Sequence, residues 1–177
     1  MFDSSLNWYW TSFFFVLGAL FGSFANVVIY RLPKKMSVVT PGSHCYSCST
    51  PVKFYDNIPM VSWIILRGKC RKCQAPFSFR YFLVELLTAI LFAMSFVKYG
   101  WSYSLIEILI LVFGLVVISF IDLDHFIIPD KISLPGIVIG LIGAALNPQR
   151  HFIDGLLGLL LGGGFLWAVA YVYYLIK

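Results

Sequence analysis

The chain has 177 residues, 60% of them hydrophobic and only 12% charged, with a mean hydropathy of +0.87. Soluble domains carry about 25% charged residues, so this composition excludes a soluble globular protein and defines an integral membrane one. The net charge of +5 and the isoelectric point near 9.1 arise from a local cluster of basic residues, so nucleic acid is not needed as a partner to explain them.

Five stretches are long enough to cross a hydrocarbon core, which takes about 20 helical residues for roughly 30 Å. Residues 4–30 contain no Asp, Glu, Lys or Arg. Ahead of them stands only Asp3, with no basic leader and no small-residue cleavage site, so the segment reads as a retained helix and not a secretion signal. Gly18, Gly22 and Asn26 recur at i, i+4 and i+8 with Ser23 alongside, a small-residue ridge for close helix packing in lipid. Trp8, Tyr9 and Trp10 near its start, with Trp101 and Tyr103 later, read as an interfacial aromatic belt.

Residues 31–80 differ sharply. They hold nine Lys or Arg (31, 34, 35, 53, 67, 69, 71, 72 and 80) and one acid, Asp56. The positive-inside rule places this insert in the cytoplasm and the N-terminus outside, with anionic lipid as a natural neighbour. All four cysteines lie here as Cys45-x-x-Cys48 and Cys70-x-x-Cys73. Two such knuckles complete a tetrahedral S₄ site that suits structural zinc, with Arg67, Lys69, Arg71 and Lys72 helping to keep the second pair ionised. Because the insert has few apolar residues, metal binding would supply much of its folding energy. A redox pair and two disulfides are the alternatives, and a reducing compartment argues against the latter.

The second apolar stretch, residues 81–97, carries only Glu85, and the third, residues 101–121, only Glu107. Glu107 falls at the external end, where it would be solvated. Glu85 falls about one turn inside the cytoplasmic end, where pairing with Arg80 is the plain structural reading. The third stretch runs into "IDLDHFIIPD", which places Asp122, Asp124 and Asp130 at a membrane boundary. An ionisable group there costs at least roughly 2.5–3.5 kcal/mol at a helix centre and is a functional candidate by default. On a continuous helix Asp122 and Asp124 point about 200° apart. Pro129 disfavours helical geometry at Ile128, so a break is expected, with Asp122 on the last turn facing the bundle and Asp130 at the next helix N-terminus. There Asp130 would also serve as a cap. His125 reads as an interfacial polar residue. The fourth stretch, residues 132–149, is interrupted by Pro135. The fifth, residues 155–176, carries a glycine ridge at Gly155, Gly158 and Gly162.

These pieces occur in a recognisable order: "GSFANVVIYRLP", then "YDNIPMVSWIILRGKCRKC" completing the Cys pairs, then "RYFLVELLTAI" and "IDLDHFIIPD". From about Gly22 onward the chain resembles the bacterial type IV prepilin leader peptidases, bifunctional enzymes that trim prepilins and N-methylate the new N-terminus. The fold class expected is an all-α polytopic membrane protein of about five transmembrane helices. A small cytoplasmic Cys₄ zinc insert would lie between helices one and two. The expected domains are residues 1–30, 31–80 and a peptidase core from 81 to 177. The resemblance implies an aspartic peptidase of the bacterial inner membrane, with prepilins or pseudopilins as substrates. Asp122 would be the first catalytic aspartate, and Asp124, Asp130 and Glu85 candidates for supporting roles. It also implies that the Cys45/Cys48/Cys70/Cys73 domain supports methyl transfer from S-adenosylmethionine. The family's second catalytic aspartate lies in a Gly-x-Gly-Asp motif after a helix like 155–176. These 177 residues contain no such motif, and the expectation is a piece of a longer protein. Two readings from other classes compete: an ion-coupled transporter using Asp122 with Glu85, and a non-catalytic scaffold whose zinc module docks partners.

Overall fold

The computed structural model describes residues 4–148 and 151–177; Asp3 and Gln149, which the sequence reading used, lie outside the described residues. The long elements are α1 (Ser4–Arg31), α3 (Phe79–Tyr99), α4 (Tyr103–His125), α5 (Asp130–Leu146) and α6 (Phe152–Ile176). Between α1 and α3 lies the insert, with a short 3₁₀ turn (Phe54–Asn57) and a one-turn helix α2 (Val61–Ile65). Among the described residues there is no strand, only isolated bridges at His44–Pro51 and Lys69–Pro76. Four helices are long and apolar enough to cross a membrane: α1 over Asn7–Arg31, α3, α4 and α6. Of the five crossings expected, the one holding Pro135 forms α5, whose 17 residues rise about 25 Å, at the short end of what a bilayer needs. The chain is a multi-pass membrane protein.

Two compact units divide it, Met1–Asp130 and Lys131–Lys177. In the first, α1 packs most extensively against α3, and α4 lies against both. The α1–α3 contact is close because its α1 ridge has no side chains to hold it off. A Cβ at Gly18 would lie 2.7 Å from the Thr88 carbonyl oxygen, and one at Gly22 would lie 2.7 Å from the Glu85 Cα. One step further along, Asn26 Nδ2 donates to the Tyr81 carbonyl at 3.0 Å. Gly18, Gly22 and Asn26 thus meet α3 in descending order, which is an antiparallel pair. At the other end Phe14 stacks on Phe96 with ring centroids 4.8 Å apart, and Leu105 completes that cluster. Trp10 and Trp101 meet edge to face at 4.8 Å, so the two halves of the expected aromatic belt share one end.

Each helix end has a local cause. Ser78 caps α3 by accepting from the Arg80 N–H, and Ser102 caps α4 by accepting from the Leu105 N–H. Phe126 ends α4 in the left-handed region at φ 52°, and Pro129 precedes the start of α5 at Asp130. The expected break is there, but α4 runs through both Asp122 and Asp124 before it.

In the second unit the Gly155 Cβ position lies 2.9 Å from Ala144, which brings the start of α6 onto α5. At Gly158, Gly162, Gly163 and Gly164 nothing lies within 4 Å of an added Cβ among the described residues, and α6 has no buried residue. Among the described residues, the expected packing ridge on α6 therefore meets a neighbour only at Gly155.

Candidate functional site

The two cysteine knuckles are built alike. In the first, the Cys45 N–H bonds the Thr50 carbonyl and the Ser49 N–H bonds the Cys45 carbonyl; in the second, Cys70 bonds Ala75 and Gln74 bonds Cys70. Ser49 and Gln74, each four residues after its first cysteine, both turn through positive φ at 54° and 60°. The repeated turn aims four sulfurs at one point: Cys45, Cys48, Cys70 and Cys73 Sγ all lie within 4.8 Å of one another. Cys45 and Cys73 are 3.7 Å apart, and Cys48 and Cys70 are 4.0 Å apart. Tetrahedral ligation at a Zn–S distance near 2.3 Å would require edges of about 3.8 Å, so the four thiols fit a tetrahedral metal ion. No disulfide joins them.

The ionisation of this site has a local source. The Thr50 hydroxyl beside Cys48 holds its thiol down to about 6. Cys70 is lowered by the backbone amides of Cys73 and Lys72. Against the Ala75 amide, desolvation and the three neighbouring thiols push Cys73 up to about 12. Of the basic side chains expected to keep this pair ionised, Arg71 turns away from it. Arg71 instead binds Asp56, with Nη2 at 2.6 Å and Nε at 2.9 Å from the carboxylate, which holds Asp56 below its ordinary range. A bidentate partner fifteen residues away is a better match for a guanidinium than a soft thiolate.

The carboxylates divide between two places. Glu85 is buried on α3 and accepts the Met60 N–H at 2.7 Å. Arg80 is not its partner, because that guanidinium reaches across to α4, donating to Asp124 at 2.5 Å and to the Phe120 carbonyl at 2.7 Å. The reason is helical: Glu85 is five residues on from Arg80, about 140° round the axis, and faces α1 instead. Asp124 is therefore a helical residue tied to α3.

Asp122 is exposed within its own unit, where no hydrogen bond or ion pair engages its carboxylate among the described residues. It was expected to face the bundle. The inward stripe of α4 is carried instead by Val117 and Ile121, both 0% exposed, and Asp122 lies 100° past that stripe. Asp130 is exposed in the first turn of α5, where a carboxylate complements the helix dipole. His125 is exposed and Glu107 is half-buried on α4, where solvation had been expected.

Glu85 opens onto a feature the sequence reading missed: a half-open chamber of about 440 Å³ in the first unit, bordered by α1, the insert and α3. Besides Glu85, its walls include Asn26, Arg31, Tyr46, Trp63 and Tyr81. Arg31 is 5% exposed and donates to the Ser37 and Gly42 carbonyls. Burial, with Tyr81 close by, pushes the Tyr46 hydroxyl up to about 12. The Trp63 indole N–H is buried without an acceptor among the described residues. Asp122 is not on these walls. The only sequence signal for the chamber was the density of polar and aromatic residues in "YDNIPMVSW" and "RYFLVE".

Fold and site together define a multi-pass, all-helical membrane protein with a cluster of four thiols, fit to hold a metal ion, inserted between its first two long helices. Residues 16–99 match the family model described as the bacterial peptidase A24 N-terminal domain, and residues 108–176 match that of the type IV leader peptidase family. The relatives include a prepilin leader peptidase/N-methyltransferase of Myxococcus xanthus, 46% identical over 85% of this chain and 45% of its own. Proteins of the same name from Neisseria gonorrhoeae and Aeromonas hydrophila are 38% and 34% identical over 91% and 97% of this chain. This chain spans 65% and 67% of their lengths. No solved structure matches. The chain belongs to the type IV leader peptidase family.

Proposed function

We propose that this protein cleaves the leader from type IV prepilins or pseudopilins by aspartic catalysis, and N-methylates the new N-terminus. Two carboxylates that share a proton divide the labour of such a cleavage: the ionised one takes a proton from the attacking water, and the protonated one donates to the carbonyl oxygen. Asp122 is the first of the pair. The observation that carries the assignment is its position, exposed at the end of an apolar helix, with no protein partner in its unit to occupy it. Asp124 and Asp130 flank it in supporting roles, the one bracing α4 against α3 and the other opening α5.

The orientation follows from the basic insert: Cys₄ domain in the cytoplasm, N-terminus outside, in the inner membrane. A prepilin's apolar N-terminal helix then lies in the bilayer while its basic leader meets the mouth of α4 from the cytoplasm. Cys45, Cys48, Cys70 and Cys73 hold zinc as a structural ion, which fixes the insert beside α1 and α3. S-adenosylmethionine, when bound, supplies the methyl group.

The test is conversion of a purified prepilin by membranes holding the complete gene product, read by mass spectrometry of the new N-terminus. Loss of the leader and gain of one methyl group on the new N-terminus are the expected products for the wild type. Uncleaved substrate is expected for Asp122→Asn, and normal cleavage by that variant would sink the assignment.

A further inference from the structure

The chamber bordered by α1, the insert and α3 has the size and chemistry of a small-molecule site. At about 440 Å³ it falls within the roughly 300–1,000 Å³ of typical ligand pockets. Its walls also present unmet demands. Glu85 is 8% exposed, and among the described residues no cation pairs with it. The Met60 N–H and the Ser23 hydroxyl meet its oxygens, but a buried carboxylate without a counter-charge is still costly, and a cationic ligand would relieve that cost. Trp63 offers a buried indole N–H that has no acceptor. Tyr46 and Tyr81 add aromatic rings, and the Tyr46 hydroxyl stays neutral at any physiological pH. Aromatic faces accept both a flat heterocycle and a positive charge. Arg31 lines the same space, and among the described residues its guanidinium meets two carbonyl oxygens and no carboxylate, which suits a carboxylate on the ligand.

Resting on the reading of the chain as an N-methyltransferase, we propose that this chamber binds the methyl donor, a nucleoside-bearing sulfonium amino acid, with Glu85 facing its positive sulfur. The carboxylate stabilises the charged donor and not the neutral thioether left after transfer, so the site favours exchange of spent ligand for fresh. Gly22 sets this geometry, because the bare backbone of α1 lets the Glu85 segment of α3 come close enough for the Met60 N–H to fix the carboxylate.

The experiment is calorimetric titration of the complete chain in lipid nanodiscs with S-adenosylmethionine and, separately, S-adenosylhomocysteine. The wild type is expected to prefer the sulfonium about tenfold or more. Glu85→Gln keeps an oxygen for the Met60 N–H, removes the charge and turns the second oxygen into an amide donor. It is expected to weaken sulfonium binding about tenfold while changing thioether binding less than about twofold. Tyr46→Ala, at a half-exposed wall position, is expected to weaken both ligands alike. The proposal is overturned if the wild type binds neither ligand, if it shows no preference, or if the preference survives Glu85→Gln. Equal loss of both ligands in that variant also overturns it, because the carboxylate would then hold an ammonium group common to both. Leader cleavage is measured in parallel: binding without cleavage counts against the peptidase reading alone, and cleavage without binding against the chamber alone.

Discussion

A methyl group on Gly22 would come within 2.7 Å of the Glu85 Cα, so the smallest residue on α1 sets the depth at which the buried carboxylate of α3 sits. The contact is backbone against backbone and cannot be relieved by a side-chain rotation. Gly22→Leu is expected to push the helices apart and cost about 1–3 kcal/mol, the usual range for overpacking. Gly158→Leu on α6 meets nothing within 4 Å and is expected to stay within about 0.5 kcal/mol of the wild type. Thermal unfolding of both variants in detergent tests the contrast, and equal midpoints would contradict the packing described.

Arg80 does more than its ion pair suggests. Its guanidinium bonds Asp124 and the Phe120 carbonyl, and lies 5.0 Å from the Phe120 ring centroid. The pair is about one third exposed on each side, so solvent screening limits it to about 0–1 kcal/mol. Asp124→Asn should therefore lower stability by less than about 1 kcal/mol, and high salt should remove the difference. Arg80→Ala loses the carbonyl contact and the ring as well, and is expected to cost more than Asp124→Asn at any salt. Denaturation of both variants at low and high salt would show whether the ordering holds.

The metal centre is predicted to govern the insert and spare the helices. Outside the cysteines the insert buries little: Cys45, Ser62, Gly68 and Cys70 are the buried residues between α1 and α3 among those described. A chelator, or Cys45→Ser, should release the metal and leave 37–78 open to protease, with the helical circular dichroism largely kept. Metal content by mass spectrometry and the sites of first cleavage provide the readout. A protease-resistant insert in the metal-free protein would mean that packing against α1 and α3, and not the metal, holds it.

The parts of this structure written in local spacing were legible from sequence. Apolar runs gave the helices, Cys-x-x-Cys gave the two cysteine knuckles that converge, and Gly18/Gly22/Asn26 gave the ridge that α3 occupies. Partner choice across long separations was not legible. Glu85 could be placed inside a helix, but not next to Met60, twenty-five residues back, because that backbone donor has no signature in the side chains. Arg80 was assigned to the acid nearest in sequence, whereas helical phase sends it 44 residues on to Asp124. Asp122 was expected to point inward on the ground that buried charge implies function. The stripe of Val117 and Ile121 shows that its neighbours take the interior and leave the carboxylate accessible. The chamber was the largest omission, since its walls come from three elements with no shared periodicity.

Asp122 and Asp130 separate catalysis from stability. An exposed carboxylate with no partner in its unit contributes little to folding, so Asp122→Asn should leave the unfolding midpoint within about 0.5 kcal/mol of the wild type. If it acts in proton transfer, the same change should slow leader cleavage by about 10²–10⁴-fold. Asp130 opens α5, where losing the charge should cost about 0.3–1 kcal/mol through the helix dipole. Cleavage by Asp130→Asn should then fall only in proportion to the folded fraction. Measuring unfolding and cleavage on the same two preparations decides between them. A variant at Asp130 that stays folded yet loses cleavage to the same degree as Asp122→Asn would move it from a supporting place into the chemistry.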